Sequence, residues 1–267
     1  MEEMKKLICG RYSPHEELNH KDNLYEILSH IGNNIEFFTN KSFHYIEMTD
    51  RDITNIGPYC GRALMEASFT GLAARIDPFK LLFIRYKQLD PKYMIDKKNK
   101  FSIQWSGDII SPTKEEDTEL EKNPRRPLLS PTMYELVWKP AIVKCIEYIQ
   151  VKEIQSDWIQ DTFFTVPEGP IDKQADSVYG QFLTNTMNLY SFLSKGVHQE
   201  FVVSPESLYD SDTVKLKLSD LIKLISLISL ISHNIPIAIG NMNMEETIGY
   251  FQKIEKRRQK IEERRQN

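Results

Sequence analysis

The sequence predicts a mainly α fold, a helical bundle with short β elements near 101–106 and 212–240. Two observations carry this expectation. Apolar residues recur at three- and four-residue spacing in several long runs, as in helices that bury one face. Strict alternation, the mark of a strand, is confined to short pieces such as Phe101, Ile103 and Trp105.

Residues 1–22 are polar and read as a loop or extended arm. Leu24, Ile27, Leu28, Ile31, Ile35 and Phe38 keep helical spacing, so 23–39 forms an amphipathic helix continuing towards Ile46. The most informative stretch follows, GPYCGRALMEASFTGLAARIDPFKLLFIRYKQ at 57–88. Gly57 and Pro58 suit an N-cap and first helical position, since proline lacks the amide that this position leaves unpaired. Cys60, Ala63, Ala67, Gly71 and Ala74 then form a smooth ridge that a second backbone can approach closely. The helix at 58–75 is therefore expected to be buried. Asp77 and Pro78 close it and cap a helix at 78–88, with Phe79, Leu82, Phe83 and Tyr86 directed to the core.

The alternation at 101–106 reads as a strand entering a turn at Gly107 and Asp108. Residues 111–127 are charged and proline-bounded and read as an exposed loop. Helix returns at 132–150, interrupted at Pro140. A long pattern at 172–194 runs from Ala175 to Leu193, with Gly196 as its stop. Val214, Leu216 and Leu218 alternate with lysines and read as a strand, after which Ser219 caps a helix LIKLISLISLIS. Its serine track winds around the axis and leaves apolar residues on nearly every face, as in a buried helix. Ile235, Ile237 and Ile239 read as another strand, and Asn243 with Glu246 as the capping box of a final helix. The apolar stripe of that helix thins to Ile261, so its end is expected to project into solvent. The regions divide as an N-terminal helical part (1–110), a middle helical part (128–200) and a C-terminal α/β part (204–267).

A chain of 267 residues has ample length for a buried core. The net charge of −4 argues against nucleic-acid binding through bulk charge, but the end is polarised. Lys253, Lys256, Arg257, Arg258, Lys260, Arg264 and Arg265 face only Glu255, Glu262 and Glu263. This basic tail suits a protein contact or a solvated face, with nucleic acid as an alternative partner. Cys9, Cys60 and Cys145 form no CxxC pair and fit a reducing, cytoplasmic setting. The opening MEEMKKLICGRY has no apolar run of a secretory signal, and the apolar stretch at 221–231 is too short to span a bilayer. No membrane is expected.

Motifs for chemistry are sparse. No phosphate-cradling GxxxxGK[ST] or GxGxxG occurs, and no GxSxG elbow. His15 and His20 are five apart, which puts them on different helical faces and gives no metal pair. Asp90-Pro91-Lys92 and Asp96-Lys97-Lys98 match the (D/E)xK triplet of metal-dependent nucleases but fall in loop sequence. No catalytic residue, metal or cofactor is assigned. The strongest constellation is Arg62, Glu66, Arg75 and Asp77, with Trp105 and Asp108 nearby in sequence, and Trp138 as a further aromatic. Two readings stay open: an ion pair and a cap that stabilise packing, or a polar site or partner-docking surface.

Residues 63–88 (ALMEASFTGLAARIDPFKLLFIRYKQ) with 101–110 (FSIQWSGDII) resemble helical accessory subunits of bacterial antiviral defence systems. Those systems are built around an SMC-like or ABC ATPase and a nuclease effector, so the resemblance implies a non-catalytic bridging subunit. A comparison with HEPN-type RNase bundles finds no arginine at their motif's spacing before any histidine; Arg11 and His15 are too close. The leading expectation is an assembly or adaptor subunit that contacts other protein subunits. The alternative is a metal-dependent nuclease or nucleic-acid-binding enzyme.

Overall fold

Helices account for nearly all of the secondary structure in the computed structural model, which describes residues 2–11, 19–47, 52–94, 101–110, 127–152, 163–195 and 210–266. The α-helices among them are α1 (Glu2–Cys9), α2 (Asn19–Glu47), α3 (Ile53–Ile76), α4 (Pro78–Gln88), α5 (Pro131–Met133), α6 (Lys139–Val151), α7 (Ile171–Lys195), α8 (Ser211–Ser232) and α9 (Met244–Gln266). The mainly α expectation holds. The β elements do not appear among the described residues; only isolated bridges join Ser106 to Ile110 and Ile110 to Leu129.

The first surprise is α1, where a polar arm was expected. Met4, Leu7 and Ile8 fall within one helical turn and are wholly buried, while Glu2 and Glu3 precede them and Lys5 and Lys6 lie between. That interleaving hid a short amphipathic pattern. Gly10 ends the helix at φ 80°, where a Cβ would overlap the Gly240 carbonyl oxygen. The Arg11 amide donates to that same oxygen at 2.9 Å, so the segment after α8 is tied to the end of α1.

Helix α8 is the central element. Asp210 caps it, accepting from the Thr213 amide at 2.8 Å and the Thr213 hydroxyl at 2.6 Å. The strand expected at 214–218 and the cap expected at Ser219 both lie inside this one helix. Alternation in VKLKL misled because Val214 and Leu218, the buried pair, are also four apart and share a helical face. Almost every residue from Leu218 to Ser232 is buried, because α1, α2, α3, α6, α7 and α9 all pack on it. Ser226 and Ser232 satisfy their hydroxyls on the carbonyls of Lys223 and Ser229, at 2.9 and 2.6 Å. Residues 235–239 are turns rather than a strand, and Ile237 is exposed.

Helix α3 lies against α2, α7 and α8 and is buried as expected. It begins four residues before Gly57, so Gly57 and Pro58 sit inside it and not at its cap. Close approach is real at its glycines. A Cβ at Gly57 would come within 2.7 Å of Val214, one at Gly61 within 2.7 Å of Leu218 and one at Gly71 within 2.9 Å of Ile8. Ala63 and Ala67, on another face, are only half-buried.

Asp77 caps α4 by accepting from the Lys80 amide at 3.1 Å, with Pro78 in the first turn. Here the core assignment is reversed for three of the four residues, Leu82 alone packing half-buried against the core. Leu81 is the buried residue of α4, whereas Phe79, Phe83 and Tyr86 are exposed. The aromatic residues are spaced four and three apart, so they share one stripe, but it is the stripe facing away from α2 and α3.

The expected strand at 101–106 is an extended entry followed by a wide π-type turn, Trp105–Ile109. Gly107 takes φ 96°, which a side chain would strain, and its amide donates to the Ile110 carbonyl at 2.9 Å. The 132–150 pattern resolves into α5, a π-type segment at Tyr134–Trp138 beside Pro140, and α6. Trp138 is fully buried and donates its indole N–H to the Leu128 carbonyl at 2.8 Å. The pattern at 172–194 is α7. Most of the charged run 111–127, together with Asp96, Lys97, Lys98, His15 and Gly196, lies outside the described residues, and His20 is described only in its backbone.

Candidate functional site

Arg62, Glu66 and Trp105 come together in an open cleft of about 670 Å³ between α2, α3, α7 and the 103–109 segment. Arg62 and Glu66 are one turn apart on α3, and Nε donates to the Glu66 carboxylate at 3.0 Å. The remaining guanidinium nitrogens donate to the Tyr190 hydroxyl at 2.9 Å and the Ser194 hydroxyl at 3.0 Å. Tyr190 in turn stacks on Trp105 with ring centroids 3.9 Å apart, and Phe69 meets Trp105 edge-on. The result is a floor of aromatic rings with a positioned cation and a half-exposed carboxylate at its side. Asn34, Tyr59, Thr70 and Gln104 add polar groups around it. Ala63 and Ala67 also line it, so part of the small-residue ridge opens a cleft where a helix contact was expected. Tyr190 and Ser194 carried no local signal, because they lie 128 and 132 residues from Arg62.

The other proposed members serve elsewhere. Asp77 is the α4 cap. Asp108 pairs with Lys80 and accepts from the Gln104 amide at 2.8 Å, so it holds the turn that presents Trp105. Arg75 is fully buried at the far end of α3. It donates to the Ile239 carbonyl (2.9 Å), the Ser232 hydroxyl (2.9 Å) and the Asn241 side-chain carbonyl (2.7 Å). It also meets His233 Nδ1 at 3.1 Å. Nδ1 accepts from the Met242 amide at 3.1 Å as well, and Nε2 donates to the Leu7 carbonyl at 2.9 Å. That pattern requires a neutral ring protonated on Nε2. Burial, and then the Arg75 charge, push the His233 pKa down to about 3. This is a structural lock that joins α1, α3, α8 and the turn before α9.

The basic tail is divided between surface and interior. Lys253, Lys256 and Lys260 are exposed along α9, and Arg257 pairs with Glu47 while lying over the Phe43 ring. Arg258 is buried. It donates to the Glu255 and Glu262 carboxylates, at 3.0 and 2.7 Å, and to the Ser219 hydroxyl at 3.3 Å. Glu255 also receives Lys223 of α8 at 3.0 Å, with both side chains almost wholly buried. Burial raises the Glu255 pKa, opposed by Arg258 and Lys223. The expectation that α9 projects into solvent beyond Ile254 is therefore overturned: its core contact continues through Glu255, Arg258 and Ile261. Arg264 and Arg265 have no described side chains.

The exposed α4 face completes the site. Phe79, Phe83 and Tyr86 are 78%, 49% and 71% exposed, and Lys87 lies over the last two rings. The Gln88 side chain donates to the Phe101 carbonyl at 2.9 Å, and Lys80 reaches Asp108. The 101–110 segment thus links the α4 face to the cleft. Asp90 sits in the turn after α4, accepting from the Lys92 amide at 2.8 Å. Among the described residues no group of three His, Cys, Asp or Glu stands close enough to hold a metal ion, and no helix is long and apolar enough to cross a membrane. The three cysteines are unpaired and buried. The chain matches no family model, no curated protein and no solved structure.

Proposed function

We propose that the chain is a non-catalytic assembly subunit of an intracellular multiprotein complex, and that α4 is its docking helix. The carrying observation is the outward stripe of Phe79, Phe83 and Tyr86. Side chains of this size expose on the order of 400 Å² at these fractions, about half of what one partner contributes to a standard interface. The helix PFKLLFIRYKQ carries no acid; Lys80 is paired with Asp108 and Arg85 with Glu26, which leaves Lys87, lying over the Phe83 and Tyr86 rings, as the cation beside the stripe. Its occupant is an amphipathic helix of another subunit whose apolar stripe is flanked by Asp or Glu. The adjoining cleft, with Arg62 and the Trp105–Tyr190 stack, receives polar side chains at the edge of that contact. The kind of complex, an ATPase held to a nuclease effector in antiviral defence, follows the resemblance of 63–88 and 101–110.

A photoreactive residue at position 83 in the native host tests this directly. Cross-links should fall on an acidic amphipathic helix of one other protein. Replacing Phe79 and Tyr86 together by serine should weaken that complex more than tenfold, with the melting midpoint preserved within a few degrees. Cross-links to a second copy of the chain, or a complex that survives the double substitution, would sink the reading. So would metal-dependent cleavage of DNA or RNA by the purified protein.

A further inference from the structure

A second feature stands apart from the docking face. Between α6, α7, α8 and the 164–168 segment the packing leaves a partly open apolar pocket of about 230 Å³, with the exposed Gln150 and Glu168 in its lining. An apolar cavity of ~150 Å³ already accepts a benzene ring. The walls are apolar, with Ile142 and Ile146 from α6, the Phe164 ring, Val178 from α7, and Leu227 and Ile231 from α8. Cys145 adds a thiol kept protonated by burial, its pKa pushed up to about 12, so it behaves as one more apolar group. Among the described residues the polar lining is Gln150, Gln174 and Glu168. Gln174 is 92% buried, and Gln150 Nε2 reaches its side-chain oxygen only at the long distance of 3.5 Å.

We propose that this cavity binds a medium-chain aliphatic amphiphile, with a chain of about eight carbons and an uncharged hydrogen-bonding head such as an alcohol or amide. The volume exceeds that of a benzene site by about half, which an octyl chain fills and a butyl chain does not. The head lies at the glutamine pair, whose amides can donate to it and accept from it, improving on their stretched mutual contact. The Glu168 carboxylate repels an anionic head, so a fatty acid is disfavoured against the alcohol of the same length.

Thermal unfolding of the full chain with octan-1-ol, butan-1-ol and octanoate provides the test. At about a hundredfold excess over Kd, octan-1-ol should raise the midpoint by on the order of 5 °C. Butan-1-ol and, at neutral pH, octanoate should do markedly less at equal concentration. Val178→Phe fills the cavity and should abolish the octan-1-ol shift; Leu227→Phe serves if that variant does not fold. Glu168→Gln should keep the binding of the chain but erase the preference for alcohol over carboxylate. An unchanged wild-type midpoint, or a filled variant that keeps the full shift, overturns the site. Octanoate acting as strongly as octan-1-ol overturns the assignment of the head.

Discussion

Arg62 and Arg75 lie on the same helix and show what a single residue's environment decides. The Arg62–Glu66 pair was legible in the sequence because a four-residue spacing on a helix makes neighbours. The Arg75 partners were not, since Ile8, Ser232, His233, Ile239 and Asn241 reach it only through tertiary folding. His233 gives this lock a measurable signature. Its folded pKa of about 3 lies below the usual value of 6.5, so the unfolded chain binds the proton more readily. The stabilisation is complete above about pH 6.5 and is lost as pH falls from there towards about 3, at ~1.4 kcal/mol per pH unit. His233→Gln keeps an acceptor and a donor but does not titrate. Denaturant unfolding between pH 4.5 and 7 should show the wild type losing its advantage over this variant as the pH falls. Parallel stability curves for the two would show that His233 is not protonated on unfolding in that range.

At the scale of the element, helices were legible wherever one face carried all the apolar residues, as in α2 and α7. They were misread where the pattern was too short or mimicked a strand. In α1 the apolar set is only one turn long, and the first turns of α8 alternate as VKLKL, whereas the apolar residues on every face of its remainder marked a buried helix correctly. In α4 the stripe was read correctly and its direction wrongly, because periodicity says which residues share a face but not what that face meets. Small residues were more informative. Gly61 faces the methyl ends of Leu218 and Leu193 at distances that force these buried side chains to shift for a Cβ, whereas nothing lies within 4 Å of one at Gly249. Gly61→Ala should therefore destabilise by ~1–3 kcal/mol through overpacking. Gly249→Ala, inside α9, should stabilise by ~0.4–1 kcal/mol because alanine restricts the unfolded chain. Urea unfolding of the two variants decides it; equal effects would mean that α3 and α8 can move apart at no cost.

Across the whole molecule, α1 and α9 are part of the core. Helix α1 packs on α2, α3, α8 and α9, and α9 packs on α1, α2 and α8, so the first and last helices brace each other around the central one. The basic composition of the last fifteen residues concealed this, because Glu255 and Arg258 look like solvated charges in a sequence and are buried partners in the fold. Truncation after Ile254 separates this account from that of a dispensable tail. It removes the Glu255 carboxylate from buried Lys223, and breaking such a pair costs ~3–5 kcal/mol. It also removes the buried Ile261 side chain, worth a further ~1.5–3 kcal/mol. Domains hold only ~5–15 kcal/mol in total, and a chain of this size shifts its midpoint by ~2–4 °C per kcal/mol. The truncated protein should thus melt on the order of 10 °C or more below the full chain, or fail to fold. Removing only residues 264–267 leaves the Lys223–Glu255–Arg258–Glu262 cluster in place and should change the midpoint by no more than about a degree or two. Equal midpoints for the full chain and the longer truncation would mean that the cluster adds nothing to stability, and that the last three turns of α9 serve association alone.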